Sequence, residues 1–273
     1  MVKVLHVKAT APWGWSIKAP GQSAAQTPIP VPPPSTLLGA LAYPYFTSKG
    51  WPELIFEDGA YYSPAYKLLE QVSYAAFGIS TSVATVHQDL TKNVIAPYLR
   101  QPHRKISSNW FGAQAMGKTI NPNGRIEIAY VLRPGADEAG LLKAAWSITR
   151  LGSKEGIIAV EDASIQEVVP AEMRLATTSF YAPYSCVEVI EPGGEIIEFW
   201  DYRDPRAYIY GNTERRRGRG AKREEERIPS STMKFVVPME KGPYGGKMSV
   251  RVKEEGVILK LRETSLIVPR DVL

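Results

Sequence analysis

Pro32, Pro33 and Pro34 are followed at once by Ser35-Thr36-Leu37-Leu38-Gly39-Ala40-Leu41-Ala42. Three consecutive prolines hold the backbone extended and keep it out of a helix. Ser35 offers an N-cap oxygen, and an apolar stretch at helical spacing comes after it, so a helix has to begin abruptly there. The start of a helix turns backbone N–H groups and a partial positive charge outward, an arrangement that suits a phosphate. The same pattern also serves as a plain loop-to-helix junction packed on a sheet.

The remaining sequence bounds the setting of that helix. The chain has 273 residues, of which 44% are hydrophobic and 22% charged. This composition fits one large folded domain or two small ones and excludes a disordered chain. No run approaches the ~20 apolar residues of a membrane span, and Met1–His6 alternates like a strand rather than a signal peptide. Cys186 is the only cysteine. An internal disulfide and a cysteine-based zinc site are thereby excluded, and a reducing, cytoplasmic compartment is expected. The net charge of +5 favours a polyanionic partner.

The order of elements predicts an α+β chain. Val2–Ala9 reads as a strand, followed by a long loop, Thr10–Pro34, that carries Trp13, Trp15 and Lys18. The first helix starts at Ser35 and should be disturbed near Pro44. A helix is predicted over Ala65–Phe77 with Gly78 as its C-cap, and a strand over Thr81–Gln88. Asp89–Gly124 is basic and rich in turn formers. Arg125–Leu132 is a clear strand. Ala136–Leu151 is predicted as a helix with Arg150 near its end, and Gly156–Ala163 as another strand. This is the βαββαβ order of a ferredoxin-like (RRM-like) unit with an elaborated middle, here residues 1–169. Residues 170–273 form a β-rich C-terminal region interrupted by a basic loop at 214–227.

Three segments carry candidate chemistry. Arg215, Arg216, Arg217 and Arg219, with Gly218 and Gly220 among them, read either as a cationic loop that tracks a phosphate chain or as a solvated surface loop. Tyr98, Arg100, His103, Arg104 and Lys105 combine a ring for base stacking with phosphate-neutralising cations, or form an ordinary exposed loop. Trp13, Trp15 and Lys18 make either a further stacking site or buried loop anchors. Gly112–Thr119 matches a phosphate-loop expression ending in Lys118-Thr119, yet lacks the preceding strand and following helix. The Gly117–Gly124 stretch reads instead as a hairpin loop. His6, His87 and His103 are too scattered to ligate a metal, and no cofactor is expected. Metal-free RNA cleavage would need His103 with Lys105, and Tyr43 or Tyr45, as base, acid and charge stabiliser.

The segment Pro32–Leu41, placed after a first strand and long loop, resembles the opening of the fifth CRISPR-associated (Cas) protein family, of the RAMP superfamily. Arg150-Leu151-Gly152-Ser153-Lys154-Glu155-Gly156 resembles that family's second marker, and the basic insertion near 89–124 looks like its thumb. The closest likeness is to the archaeal type I-A branch. The resemblance implies a non-catalytic subunit of Cascade that grips the 5′ handle of the CRISPR RNA and caps the backbone filament in antiviral defence. Its partners would be that RNA, the backbone subunits and the large subunit, with target DNA met indirectly and no membrane. Carried onto this chain, it places Lys18, Ser35 and Thr36 at the handle and Arg100, His103, Arg104, Lys105 and Lys118 on or near the thumb. Arg150 and Lys154 would face RNA or a neighbour. The alternative is a metal-independent endoribonuclease that processes repeat RNA. Lys241–Lys247 and the Arg/Gly run both remain candidates for the family's glycine-rich loop.

Overall fold

In the computed structural model the described residues are 1–17, 28–79, 83–94, 103–153, 156–191, 193–212, 229, 231–239 and 243–273. The first half contains β1 (Val2–Thr10), α1 (Pro34–Thr47), β2 (Ile55–Glu57), β3 (Ala60–Tyr62), β4 (Val72–Gly78), β5 (Val83–Val94), β6 (Phe111–Ile120), β7 (Arg125–Leu132), α2 (Glu138–Trp146) and β8 (Ala159–Val168). The second half is made of β9 (Pro170–Ala171), β10 (Leu175–Thr178), β11 (Ala182–Pro183), β12 (Val187–Glu191), β13 (Gly194–Trp200), β14 (Ile209–Asn212), β15 (Thr232–Pro238), β16 (Tyr244–Gly245), β17 (Met248–Val252), β18 (Gly256–Lys260) and β19 (Ser265–Pro269). The chain is thus mixed α/β and rich in antiparallel sheet.

The central sheet has the order β4-β7-β1-β8, and every neighbouring pair in it is antiparallel. One face carries the two helices: the buried Tyr130 hydroxyl donates to Leu37 O of α1 at 2.9 Å. The other face is covered by the second half of the chain. There Phe180 packs edge-on to His6, Tyr202 sits against Tyr74, and the Tyr202 hydroxyl donates to Ser73 O at 2.8 Å. One hydrophobic core therefore runs from Leu37 and Leu141 through the sheet to Tyr181 and Phe235. A sheet buried on both faces explains why β4 and β7 are apolar almost throughout instead of alternating.

Strands from the second half also complete small sheets of the first. β14 pairs with β3 of the β2–β3 hairpin, and β16 pairs with β5. The β2–β3 hairpin turns at Asp58-Gly59, both at positive φ (47° and 77°), the two-residue turn whose twist matches the strands.

Several sequence expectations are revised. The first helix is capped by Pro33, not Ser35; it starts at Pro34, has no side-chain cap, and runs through Pro44 to Thr47. Proline at the first helical position lacks only an N–H that has no intrahelical acceptor anyway. The predicted helix over Ala65–Phe77 is instead a short 3₁₀ helix, Pro64–Glu70, followed by the fully buried strand β4, which contains Gly78. The helix expected to reach Leu151 ends at Trp146, with Asp137 as its cap. The basic segment is a long antiparallel hairpin, β5–β6, in register from Thr85↔Ile120 to Val94↔Phe111. Within it, Gly117–Ile120 belong to β6, and only Asn121–Gly124 form the turn into β7.

Candidate nucleic-acid interface

An open cleft of about 680 Å³ lies along α1. Residues Thr36, Ala40 and Tyr43 recur at helical spacing, so they share one face of α1 and form one wall with Ser35 and Gly39. Thr149, Arg150 and Gly152, from the loop after α2, form the opposite wall. Ala207–Ile209, from the second half, and Ser63 close the end. The lining is small and hydroxyl-rich, with one exposed ring, Tyr43 (58% accessible), and one exposed guanidinium, Arg150.

The position of each wall follows from local chemistry. On α1, Pro34 has no N–H, and the amides of Thr36 and Leu37 both donate to Pro33 O, at 2.9 and 3.2 Å. Among the described residues, that leaves only the Ser35 amide of the first turn without a backbone acceptor. The buried faces of Leu37, Leu38 and Leu41 fix the helix on the core. Opposite, Leu151 is fully buried and its amide donates to Gly156 O at 2.7 Å, which turns its neighbour Arg150 outward. Gly152 has φ +78°, and a Cβ there would lie 2.8 Å from Ile17 Cγ1. A side chain would be strained in backbone and in space, so glycine is required. Arg150 has no acidic partner among the described residues, so its charge faces the cleft unneutralised.

At the C-terminal end of α1, Asp137 ties the two helices together. Its carboxylate accepts from Gly140 N at 3.0 Å, from Lys49 Nζ at 2.8 Å and from the Tyr45 hydroxyl at 3.2 Å. The Lys49 hydrogen bond, and next to it the Gly140 N–H, hold this carboxyl below its ordinary pKa. Lys49 is correspondingly raised, first by Asp137 and then by Tyr45. Tyr45 is therefore occupied and buried, whereas Tyr43 is free to meet a ligand.

Of the residues singled out from sequence, the fold brings Ser35, Thr36 and Arg150 into this one cleft. Lys118 stands elsewhere, half-buried at the root of the β5–β6 hairpin opposite His87. His103, Arg104 and Lys105 form a 3₁₀ turn between the two strands of that hairpin, with His103 and Lys105 exposed. Neither His103 nor Lys105 lines the cleft, so His103 and Tyr43 do not share that site. Lys18, Tyr98, Arg100, Lys154, Arg215, Arg216, Arg217 and Arg219 lie outside the described residues. Trp13 and Trp15 do not form a joint stacking platform: Trp13 is exposed, while Trp15 is fully buried and its indole N–H donates to Pro30 O at 3.0 Å. The Gly112–Thr119 expression falls within strand β6, which rules out a phosphate loop. Cys186 is buried in an apolar cluster, and burial pushes its thiol pKa up. No group of three or more His, Cys, Asp or Glu suited to a metal occurs among the described residues. No helix among them is long and apolar enough to cross a membrane.

Tyr43, Ser63, Thr149 and Tyr208 were not assigned to this site from sequence. They come from four separate segments, and only the long-range pairing of β14 with β3 brings the last of these segments to α1.

No family model matches the chain. It is 31% identical over 199 residues to CRISPR-associated protein Cas5 3 of Saccharolobus solfataricus, covering 73% of this chain and 79% of that protein. It is 28% identical over 243 residues to CRISPR system aCascade subunit Cas5 1 of the same organism, covering 89% of this chain and 90% of that protein. A crystal structure of a CRISPR protein from Archaeoglobus fulgidus shares the fold, with a TM-score of 0.57 at 18% identity over 98% of this chain and all of that one. With 79% of a Cas5 protein matched at 31% identity, the chain belongs to the Cas5 family of CRISPR-associated proteins.

Proposed function

We propose that the chain is the CRISPR-RNA-binding subunit of an archaeal type I-A Cascade, acting in the cytoplasm in antiviral defence. It grips the 5′ handle of the guide and caps the backbone filament without cleaving RNA. The observation that carries this reading is the cleft along α1: the neighbours Ser35 and Thr36 and the sequence-distant Arg150 line one groove, and among the described residues Arg150 is its only exposed cation and has no acidic partner. A phosphate meets Arg150 by charge-assisted hydrogen bonds, a base stacks on Tyr43, and the hydroxyls of Ser35, Thr36, Ser63 and Thr149 are suited to ribose 2′-OH groups.

Other features support the reading. The core elements β1, α1, β4, β7, α2 and β8, with sheet order β4-β7-β1-β8, support a ferredoxin-like domain, which we assign to residues 1–169, with residues 170–273 as a β-rich extension. The β5–β6 hairpin is the thumb, and His103, Arg104 and Lys105 on its turn meet the guide where it leaves the handle. The Arg/Gly run at 214–227 supplies further phosphate contacts. One relative is named as an aCascade subunit, which supports backbone and large subunits as neighbours, with target DNA read by base pairing to the guide.

The test is fluorescence anisotropy with three probes: a guide bearing its repeat-derived handle, the same guide without the handle, and the handle as DNA. The reading expects the first to bind tightest and with a steep salt dependence. Equal affinity for all three would overturn it, and specific scission of repeat RNA in EDTA would replace it with a nuclease.

A further inference from the structure

Residues 15–17 form a short strap that touches three parts of the molecule, two of which also meet directly where Thr119 Oγ1 donates to Ile29 O at 3.4 Å. The first is the root of the β5–β6 hairpin. Trp15 N donates to Thr119 O at 3.0 Å, Thr119 N donates back to Trp15 O at 2.8 Å, and Ser16 Oγ donates to Gly117 O at 2.7 Å. The second is the lead into α1, where Trp15 Nε1 donates to Pro30 O at 3.0 Å and Ile29 N donates to Ile17 O at 3.0 Å. The third is the loop that presents Arg150. Ser153 N donates to Ser16 O at 3.4 Å, and Gly152 passes so close to Ile17 that it has no room for a Cβ.

The strap is held firmly on its own account. Trp15 is fully buried and packs edge-on against Phe77 of β4, with ring centroids 5.1 Å apart. A Cβ on Gly14 would stand 1.8 Å from Thr119 O, so the strap lies directly against β6. Both walls of the cleft and the root of the hairpin thus rest on the same three residues. The strand β5 is secured from the other side, where Tyr244 of β16 pairs with Ala84 and its hydroxyl donates to Glu195 Oε2 at 2.5 Å. With β5 pinned there, the angle at which the hairpin leaves the body is set by how β6 sits on the strap.

We propose that Trp15 and Ser16 are positioning residues that lock the hairpin root to the Arg150 loop, so that the hairpin and the cleft move as one body. The link to the hairpin stands on the geometry alone; its consequence for ligand binding rests on the reading of the cleft as an RNA site. A nucleotide seated between Thr36 and Arg150 restrains the Gly152–Ser153 loop, and through Ser16 it restrains β6.

Hydrogen exchange followed by mass spectrometry tests this on the full chain, with and without handle-bearing guide RNA. Ser16→Ala removes the bond to Gly117 O and leaves the fold's core untouched. In the free protein it is expected to speed exchange at the β6 root, Gly117–Thr119, by about fivefold, with the melting temperature unchanged and with rescue by Ser16→Thr. Gly14→Ala, which forces the strap off Thr119, is expected to act more strongly at the same amides. In the unsubstituted chain RNA slows exchange at these amides, and in Ser16→Ala that slowing is lost and affinity falls about threefold. Unchanged exchange in free Ser16→Ala and Gly14→Ala proteins overturns the lock. Faster exchange with full retention of RNA affinity and of RNA-induced slowing overturns the coupling. If the unsubstituted chain does not bind the RNA at all, the reading of the cleft fails, and exchange in the free proteins still decides the lock.

Discussion

Lys49 Nζ lies 2.8 Å from Asp137 Oδ2, and through this contact the residues just beyond α1 hold the cap of α2. The same carboxylate accepts from Gly140 N, so one side chain both starts a helix and fixes its angle to its neighbour. Asp137→Ala is expected to lose about 1–2 kcal/mol, the usual cost of an N-cap, whereas Asp137→Asn keeps the capping oxygen and loses less. Urea unfolding of the two variants gives the difference; equal losses would assign the effect to the Lys49 pair rather than to the cap.

That contact also sets a pH dependence. Because the Asp137 carboxyl is held below its ordinary value, its contribution is complete above about pH 4 and fades as pH falls through its folded-state value. Lys49 is raised, so its contribution is complete below about pH 10 and fades as pH rises through its own folded-state value. Thermal melts of the parent and of Asp137→Asn should therefore differ most between these limits and converge in acid. A constant difference down to pH 2 would contradict the assignment.

His6 and Glu127 form a buried pair, with His6 Nε2 2.9 Å from Glu127 Oε2 and both side chains sealed beneath Phe180. Removing Glu127 takes away the partner of His6 Nε2 in a buried setting and leaves His6 Nδ1 its contact with Gln166 Nε2 at 3.3 Å. Glu127→Ala is accordingly expected to cost about 3 kcal/mol, and the double replacement His6→Leu with Glu127→Leu to cost less than the single one. Equilibrium unfolding of the cycle measures this directly; a double variant less stable than Glu127→Ala would show that the pair contributes net stability of its own.

Gly39 separates binding from folding. It sits within α1 on the cleft wall, and a Cβ there meets nothing within 4 Å. Gly39→Ala should gain about 0.5–1 kcal/mol by removing helical glycine. Gly39→Leu fills the groove and should weaken handle RNA by about tenfold or more while the protein melts no lower. Anisotropy paired with calorimetry reads both, and undiminished RNA binding by Gly39→Leu would place the RNA elsewhere.

Arg150→Ala is expected to reduce RNA affinity about tenfold and to lower the slope of log K against log salt by about 0.7, the value for one single-strand phosphate contact. A reduced affinity with an unchanged slope would mean that Arg150 contacts a base or supports the loop rather than neutralising a phosphate.

The sequence made some of this molecule plain and hid the rest for identifiable reasons. Strands β1 and β7 were legible because each is an uninterrupted β-prone run bounded by turn residues, and the start of α1 because three prolines leave so few alternatives. The stretch 65–77 misled because Leu68, Leu69, Val72 and Ala76 are spaced as on a helix. In fact Leu68 and Leu69 lie in a 3₁₀ turn, while Val72 and Ala76 lie in a strand buried on both faces, where an apolar run carries no periodicity to tell strand from helix. The second helix was drawn too long because Leu141, Ala145 and Ile148 are spaced as on one helix face and Gly152 follows as a stop, yet Ile148 is buried within a loop in which Arg150 bridges to Ile157. The hairpin β5–β6 was masked by its polar arms. At the site, Ser35, Thr36 and Arg150 stood out through motif likeness, whereas Tyr208 reaches the cleft only through strand pairing across more than half the chain, which no local pattern encodes.

The face of the central sheet opposite the helices bears His6 and Tyr74 and is roofed by Phe180 and Tyr202. On the ribosome, those roofing residues emerge after every strand they shelter. A nascent chain that has finished β8 therefore leaves the Tyr74 ring and the His6–Glu127 pair uncovered until the tail arrives, and the speed at which the tail is translated governs how long that face stays open.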